Sequence, residues 1–157
     1  MRILIVVPCG KSKIWDVDQD RGPTRAEEAY TGGPFKVNRA FAKRFADRWV
    51  ILSAKYGFID PSFTIPENYN VTFKDPSTNP ISLEQLRSQV DEMKLDAYDV
   101  VIALGGRDYT SIVKRCFGDK KKVISPAEGL PVGKAMGRIS NLTNLDREEM
   151  LREIGLC

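Results

Sequence analysis

Four short apolar runs in this chain each end in a cluster of glycine and basic residues, and this repetition limits the folds that the chain can adopt. The first run, residues 2–7, consists of Arg2 and five consecutive aliphatic or β-branched residues. Such a run is typical of a strand that is buried on both faces of a sheet. Because the carboxyl ends of parallel strands lie at one edge of an α/β sheet, we expect the four clusters to meet there and form one ligand site.

Strand and helix signals alternate along the chain. Strands are predicted over residues 2–7, 49–53, 70–73, 98–104 and 122–125. Helices are predicted from Pro34, from Ser82 through a capping box with Gln85, after Gly106 to about Phe117, near 132–140, and from Asp146 to about Ile154. This alternation predicts a three-layer α/β/α sandwich with a mainly parallel sheet of about four strands, in one domain that spans residues 1–157.

Composition excludes several classes of site and location. The chain has no histidine, which removes Ser-His-Asp and Cys-His triads, histidine-ligated zinc and histidine general bases. Its three cysteines, Cys9, Cys116 and Cys157, are odd in number and widely spaced, so a disulfide framework is not expected and the cytoplasm is the expected location. No apolar run approaches the ~20 residues of a membrane span, and the first run is too short for a signal peptide.

The segment after the first run fits an anion-binding turn. Gly10 permits a sharp turn, and Lys11 and Lys13 add positive charge to the backbone amides. The spacing is not that of a P-loop, and a turn with two solvated lysines is the alternative. Cys9 is placed among the binding residues, and a nucleophilic thiol with a lysine-lowered pKa is the less favoured interpretation, since no histidine base is present.

The segment after the second run carries the candidate catalytic residues. Lys55 fits phosphate binding or stabilisation of negative charge, and Tyr56 offers a ring for base stacking. Ser53 begins this segment and is included among the binding residues. Asp60, held by the following proline, is the candidate catalytic carboxylate, with a structural turn residue as the alternative.

Residues at the predicted helix starts complete the candidate site. Backbone amides at a helix N-terminus bind phosphate groups, and glycines there let the ligand approach closely. The residues selected on this basis, or as aromatic contacts before a helix, are Tyr30, Thr31, Gly105, Gly106, Gly133 and Lys134. Asp108 is interpreted as a possible helix cap.

An ordered set of motifs connects these positions: Pro8-Cys9-Gly10-Lys11-Ser12-Lys13, Ala29-Tyr30-Thr31-Gly32 with Phe35, Leu52-Ser53-Ala54-Lys55-Tyr56-Gly57-Phe58-Ile59-Asp60-Pro61, Pro66 with Tyr69, and Gly129-Leu130-Pro131-Val132-Gly133-Lys134. In this order they resemble a family of small bacterial and phage proteins that is described only as a domain of unknown function. That family is distantly similar to the uracil-DNA-glycosylase-like fold, including a domain of archaeosine synthase and the bacterial peroxide-stress proteins. The resemblance implies a nucleobase or DNA pocket at the carboxyl ends of four parallel strands. The histidine motif of uracil-DNA glycosylases is absent, so no catalytic residue is transferred from them.

The leading hypothesis is a DNA-glycosylase-like enzyme that breaks the N-glycosidic bond of a modified base in nucleic acid or in a nucleotide. Asp60 is expected to stabilise the oxocarbenium-like sugar. The lysines at positions 11, 13 and 55 are expected to hold phosphate, and Tyr56 or Tyr30 to stack on the base. The alternative is a non-catalytic nucleotide- or DNA-binding protein with the same pocket. Neither hypothesis requires a metal ion or a cofactor, and DNA, RNA and free nucleotide stay open as ligands.

Overall fold

The apolar runs form a central sheet in the computed structural model, which describes residues 1–156. In chain order the strands are β1 (Ile3–Pro8), β2 (Thr24–Arg25), β3 (Arg48–Ser53), β4 (Gly57–Ile59), β5 (Thr64–Ile65), β6 (Val100–Ala103) and β7 (Lys122–Ile124). The α-helices are α1 (Ala26–Ala29), α2 (Gly33–Phe45), α3 (Leu83–Glu92), α4 (Arg107–Phe117), α5 (Val132–Thr143) and α6 (Arg147–Glu153). Four of the five predicted strands and all five predicted helices are therefore confirmed as elements.

The main sheet has five strands in the order β4-β3-β1-β6-β7. β1 pairs in parallel with β3 on one side and with β6 on the other, and β6 pairs in parallel with β7. β2 and β5 form a separate two-stranded antiparallel sheet. The architecture is thus α/β with a mainly parallel sheet, as predicted, but with five strands rather than about four.

β1 is buried on both faces because helices cover both sides of the sheet. Ile3, Ile5 and Val7 pack into a core that also contains side chains of α2, α5 and α6. Leu4 and Val6 point the other way, into a core shared with α3 and α4. This double burial explains why the first apolar run is continuous rather than alternating.

Local capping signals determine where several helices begin. Ser82 accepts a hydrogen bond from the Gln85 amide, and the Gln85 side chain accepts one from the Ser82 amide. Asp146 and Glu149 form the same capping box at the start of α6. Pro34 lies in the first turn of α2, where a missing N–H leaves no helical bond unmade. None of the helices in the described residues has the length and apolar character needed to cross a bilayer.

β4 is an antiparallel edge strand that the sequence does not predict. The chain turns after β3 and runs back alongside it, so that Gly57 pairs with Ser53 and Ile59 with Ile51. Gly57 has a φ of +76°, a conformation that glycine adopts without a Cβ clash. With only three residues, all of them buried, β4 shows no alternation that periodicity could reveal.

The prediction of an edge strand over residues 70–73 is wrong. Side chain–backbone hydrogen bonds hold that segment in turns instead. The Thr72 amide donates to Oγ1 of Thr78 at 3.1 Å, and the Asp75 carboxylate accepts from the Ser77 amide at 2.9 Å. Threonine and aspartate side chains compete in this way with the pairing that a strand requires.

Replacing Gly105 by alanine should destabilise the fold, because Gly105 lies tightly against β1. A Cβ at Gly105 would lie 2.6 Å from Cγ of Pro8, and Gly105 has a φ of +101°. Overpacking and backbone strain together should lower the free energy of unfolding by about 2–4 kcal/mol. Urea unfolding followed by circular dichroism measures this change. Gly106→Ala is the control, because a Cβ there meets nothing within 4 Å, and it should cost about 1 kcal/mol or less. Equal losses would contradict the close packing.

Candidate functional site at the carboxyl edge of the sheet

The carboxyl ends of β1 and β6 lie side by side where the strand order reverses. From β1 the chain crosses through α2 to β3 on one side of the sheet, and later through α3 to β6 on the other. In open α/β sheets ligands bind at such a switch point. We define the strand-end cluster as the side chains gathered around it, namely Cys9, Lys13, Tyr30, Ser53, Lys55, Tyr56, Tyr69 and Tyr109.

Lys13 is a buried cation within this cluster. The residue is only 8% exposed. Its Nζ lies 4.5 Å from the ring centroid of Tyr69 and 3.4 Å from the carbonyl oxygen of Lys11. Among the described residues, no carboxylate lies within the 4.0 Å of an ion pair with Lys13. Because burial of an ammonium group without a counter-ion is unfavourable, this side chain is suited to an anionic ligand.

Hydroxyl groups form a buried chain next to Lys13. The hydroxyl oxygens of Tyr30 and Tyr69 are 2.5 Å apart, and those of Tyr69 and Ser53 are 2.8 Å apart. Ser53 Oγ also accepts hydrogen bonds from the backbone amides of Lys55 and Tyr56, each at 3.2 Å. Burial raises the pKa of both Tyr30 and Tyr69. Their hydroxyls therefore stay protonated at neutral pH and bring no negative charge to Lys13.

Cys9 lies between the carboxyl end of β1 and the start of α4. Its Sγ is 3.8 Å from the Tyr109 hydroxyl oxygen, and the residue is 5% exposed. Burial raises the pKa of the Cys9 thiol, and this effect outweighs the opposing influence of the Tyr109 hydroxyl, the Lys13 charge and the Ala54 amide. The thiol is therefore neutral near pH 7, which favours a packing or binding role over a nucleophilic one.

Positively charged side chains lie next to aromatic rings at the solvent-exposed side of the cluster. Lys11 and Lys55 are exposed, and Nζ of Lys55 lies 5.3 Å from the ring centroid of Tyr56 and 5.6 Å from that of Tyr69. The half-buried Tyr56 ring packs in turn against Phe63, with 5.3 Å between centroids. A positive charge beside aromatic rings is the combination that proteins use to hold a phosphate and stack a base.

Three helices begin at this edge without a side-chain cap. Gly32, Gly106 and Pro131 precede α2, α4 and α5, and none of them supplies a capping hydrogen bond. By contrast, α3 starts at the same edge with a complete capping box. Uncapped N-terminal amides and the positive end of the helix dipole favour a bound anion. The predicted binding residues Thr31, Gly105, Gly106, Gly133 and Lys134 lie at or beside these three helix starts.

Asp60 lines an open groove of 350 Å³ together with Tyr56 and Phe63, but its carboxylate pairs with Arg48 rather than with a lysine of the strand-end cluster. Ile59 pairs with Ile51, so the chain has already run back from the carboxyl edge when it reaches Asp60. The Asp60 carboxylate is 3.1 Å from Nη2 of Arg48, at the opposite end of β3, and its side chain is 50% exposed. The structure therefore does not bring Asp60 into a common cleft with Lys11 and Lys55, because the turn after Lys55 reverses the chain.

Tyr69 and Tyr109 belong to the cluster although sequence reasoning does not select them as binding residues. Tyr69 comes from the irregular segment after β5, where no periodicity indicates which side chain turns inward, and its place beside Pro66 in the family motifs was the available signal. Tyr109 lies in the first turn of α4, and its position soon after the Gly105–Gly106 pair was the available signal. Within residues 1–156, no three cysteine, aspartate or glutamate side chains come together as a metal site.

Comparison with known proteins gives two matches. A family model described as "Family of unknown function (DUF6884)" matches residues 4–141, a range that includes every residue of the strand-end cluster. The chain is also similar to the uncharacterized protein YfjM of Bacillus subtilis (strain 168), with 39% identity over 126 residues that cover 80% of this chain and 84% of YfjM. No solved structure gives a significant match.

Alkaline pH should destabilise the fold through the buried hydroxyl groups. The pKa of Tyr30 and of Tyr69 is raised in the folded state, whereas the unfolded chain releases these protons near pH 10. The free energy of unfolding should therefore fall above about pH 10, by up to about 1.4 kcal/mol per pH unit for each group. Urea unfolding between pH 8 and 11 measures the slope.

Two variants separate titration of Tyr30 from simple loss of a hydrogen bond. Tyr30→Phe removes one titrating group and should make the alkaline slope shallower. Ser53→Ala removes a hydrogen bond to Tyr69 from the same hydroxyl network but removes no titrating group. It should therefore lower the free energy of unfolding while leaving the alkaline slope unchanged. An unaltered slope in Tyr30→Phe would contradict the role given to this hydroxyl.

Proposed function

This chain belongs to the DUF6884 family of unknown function, and we propose from the geometry of the strand-end cluster that it binds a phosphate-bearing nucleobase ligand, either a nucleotide or nucleic acid. The observation that carries this proposal is the buried Lys13 ammonium group, which has no carboxylate partner in the described part of the chain. A ligand that brings negative charge to Lys13 satisfies a group that the protein itself leaves unpaired.

The phosphate is proposed to lie between Lys13 and the exposed lysines at the rim, Lys11 and Lys55. Amides at the uncapped starts of α2, α4 and α5 supply further donors, and the dipoles of three helices act in the same direction. Gly10, with a φ of +78° and open space beside it, leaves the backbone after Cys9 accessible to such a ligand. Binding of this kind needs no metal ion.

The base is proposed to stack on the aromatic surface beside Lys55. Tyr56 and Phe63 offer partly exposed rings, and every nucleobase has a face that can stack on them. Lys55 lies beside both the proposed phosphate position and the aromatic rings. One ligand of nucleotide dimensions can therefore contact both.

The proposal includes a uracil-DNA-glycosylase-like fold and a cytoplasmic location. Four parallel strands between two helical layers, with the sequence motifs at their carboxyl ends, support the resemblance of fold. Cys9 and Cys116 are buried, unpaired thiols, which supports a reducing compartment.

Cleavage of an N-glycosidic bond is the second candidate activity, and Asp108 is the residue that favours it. The reaction needs a carboxylate near the sugar as positive charge develops there. The Asp60 carboxylate is paired with Arg48, whereas Asp108 is exposed in the first turn of α4, next to the cluster residue Tyr109. Within the described chain it forms no ion pair, which leaves its charge available to the ligand.

Lys13→Met tests the binding proposal, because it removes the buried charge and keeps most of the side-chain volume. Isothermal titration with nucleoside monophosphates and short DNA and RNA strands should show affinity lower by at least about tenfold. The free energy of unfolding should stay equal or rise, since an unpaired buried charge is lost. Lys94→Met, at an exposed lysine between α3 and β6, should leave both quantities unchanged. A wild type that binds none of these ligands, or a Lys13→Met protein that binds normally, would contradict the proposal.

Asp108→Asn tests the catalytic candidate. Wild-type protein incubated with DNA, RNA and nucleotides that carry modified bases should release free base, detected by liquid chromatography and mass spectrometry. Asp108→Asn should bind these substrates with unchanged affinity but release base at least about 100-fold more slowly, as expected for loss of a catalytic carboxylate. Asp91→Asn, at an exposed position of α3 outside the cluster, is the matched control and should keep the wild-type rate. Binding without base release from any substrate would contradict the catalytic candidate and support a non-catalytic binding function.

A further inference from the structure

α4 and the start of β7 carry the entire positive excess of the chain. Residues 107–122 contain six basic and two acidic residues, a net charge of +4, whereas the rest of the chain carries −1 of the total of +3. We define the basic strip as the six basic residues of this unit, namely Arg107, Lys114, Arg115, Lys120, Lys121 and Lys122. A charge concentrated in one helix–strand unit creates a local field that the low net charge does not suggest.

The strip follows one face of α4 away from the carboxyl edge. Arg107, Ser111, Lys114 and Arg115 recur at the spacing of one helical face, while Val113 and other residues of the opposite face are buried in the core. The remaining three lysines continue the strip through the turn after α4 into β7. From Arg107 to Gly118 this face is about 17 Å long at 1.5 Å per residue.

An open groove of 540 Å³ runs between α4 and β7 and is lined by four residues of the strip and by two carboxylates, Asp119 and Glu128. Lys114 pairs with Glu128, with 3.2 Å between Nζ and Oε2. The other five strip residues form no ion pair with any carboxylate of residues 1–156. Most of the positive charge along the groove is therefore available to a partner.

The chemistry of the strip fits a polyanion. The large apolar side chains that are exposed in the described chain all lie outside residues 107–122, so the strip offers no anchor for a bilayer or for an amphipathic helix. Its charges instead follow one face of α4 and continue into the turn after it. One DNA strand advances 3.4 Å per phosphate along the helix axis, so a 17 Å face spans about five phosphates.

We propose that the basic strip binds the sugar–phosphate backbone of a nucleic-acid strand whose base reaches the strand-end cluster. This inference rests on the proposed function and names the ligand as a polymer rather than a free nucleotide. Arg107 connects the two surfaces, because it starts α4 at the carboxyl edge and its guanidinium group lies beside Gly129, 3.5 Å from an ideal Cβ there. Backbone contacts of this kind position the strand, while the cluster contacts the base.

Salt-dependent binding tests this inference. Fluorescence anisotropy measures the affinity of a labelled ten-nucleotide single-stranded DNA, its RNA equivalent and a labelled mononucleotide between 50 and 300 mM NaCl. The five unpaired cations of the strip alone predict that log affinity falls with log salt with a slope of about 3.5 on a single strand, and the cluster lysines add to this slope. The mononucleotide should show a much smaller slope.

The variant Arg115→Gln/Lys120→Gln/Lys121→Gln should reduce the slope by about 2 and weaken ten-nucleotide binding at least about tenfold at low salt. Its affinity for the mononucleotide should stay within about twofold of wild type. The control Lys43→Gln/Lys94→Gln/Arg152→Gln removes the same charge elsewhere, and should keep both the wild-type slope and affinity.

Each contrary outcome identifies which proposal fails. Equal losses in the two triple variants, an unchanged slope in the strip variant, or a mononucleotide that binds as tightly as the ten-nucleotide strand would overturn the inference. Competition by polyglutamate at equal charge concentration would also overturn it, in favour of an acidic protein partner. A wild type that binds none of the three probes would overturn the proposed function as well. Strip-dependent binding of the strand without any mononucleotide binding would support the strip and count against the nucleotide pocket.

Discussion

The parallel pairing of β1 with β3 and β6 determines both the architecture of this protein and the position of its site. Parallel neighbours cannot be joined by a hairpin, so each connection needs a helix that returns across the sheet. Those helices bury both faces of β1, and they oblige the chain to leave every parallel strand at the same edge. The segments after β1, β3, β6 and β7 therefore converge although they are far apart in sequence.

At that edge the chain places unlike polar groups where water has little access. Lys13 contributes an ammonium group, whereas the neighbouring Tyr30, Tyr69 and Cys9 stay neutral because burial raises the pKa of each. The local balance is thus positive, although three of these four groups could in principle ionise. An anionic ligand would raise the pKa of the Cys9 thiol further, so the arrangement suits anion binding and disfavours thiolate chemistry.

Sequence reasoning found the elements whose signals are local. Burial on both faces predicts β1 from the continuous apolar run before Pro8. Hydrogen bonding predicts the start of α3 from the capping box at Ser82, and backbone freedom predicts the start of α4 from the glycine pair before it. Asp60 shows where such reasoning ends, because its neighbours depend on a three-residue strand that reverses the chain. Tyr69 is similar, since the inward turn of an irregular segment is decided by packing against distant residues. The convergence of the motifs was predictable from topology, but their individual contacts were not.

The uncapped starts of α2, α4 and α5 have a consequence for the stability of the protein. Compared with a Ser or Asp cap, a glycine N-cap costs a helix only a few tenths of a kcal/mol and a residue without a capping group about 1 kcal/mol, so these three helices, two of them with glycine caps, together forgo about 1.5 kcal/mol. An anion seated at this edge would fill that role in place of a side chain. Occupancy and folding are then thermodynamically linked, and the empty protein is less stable than its sequence would otherwise permit.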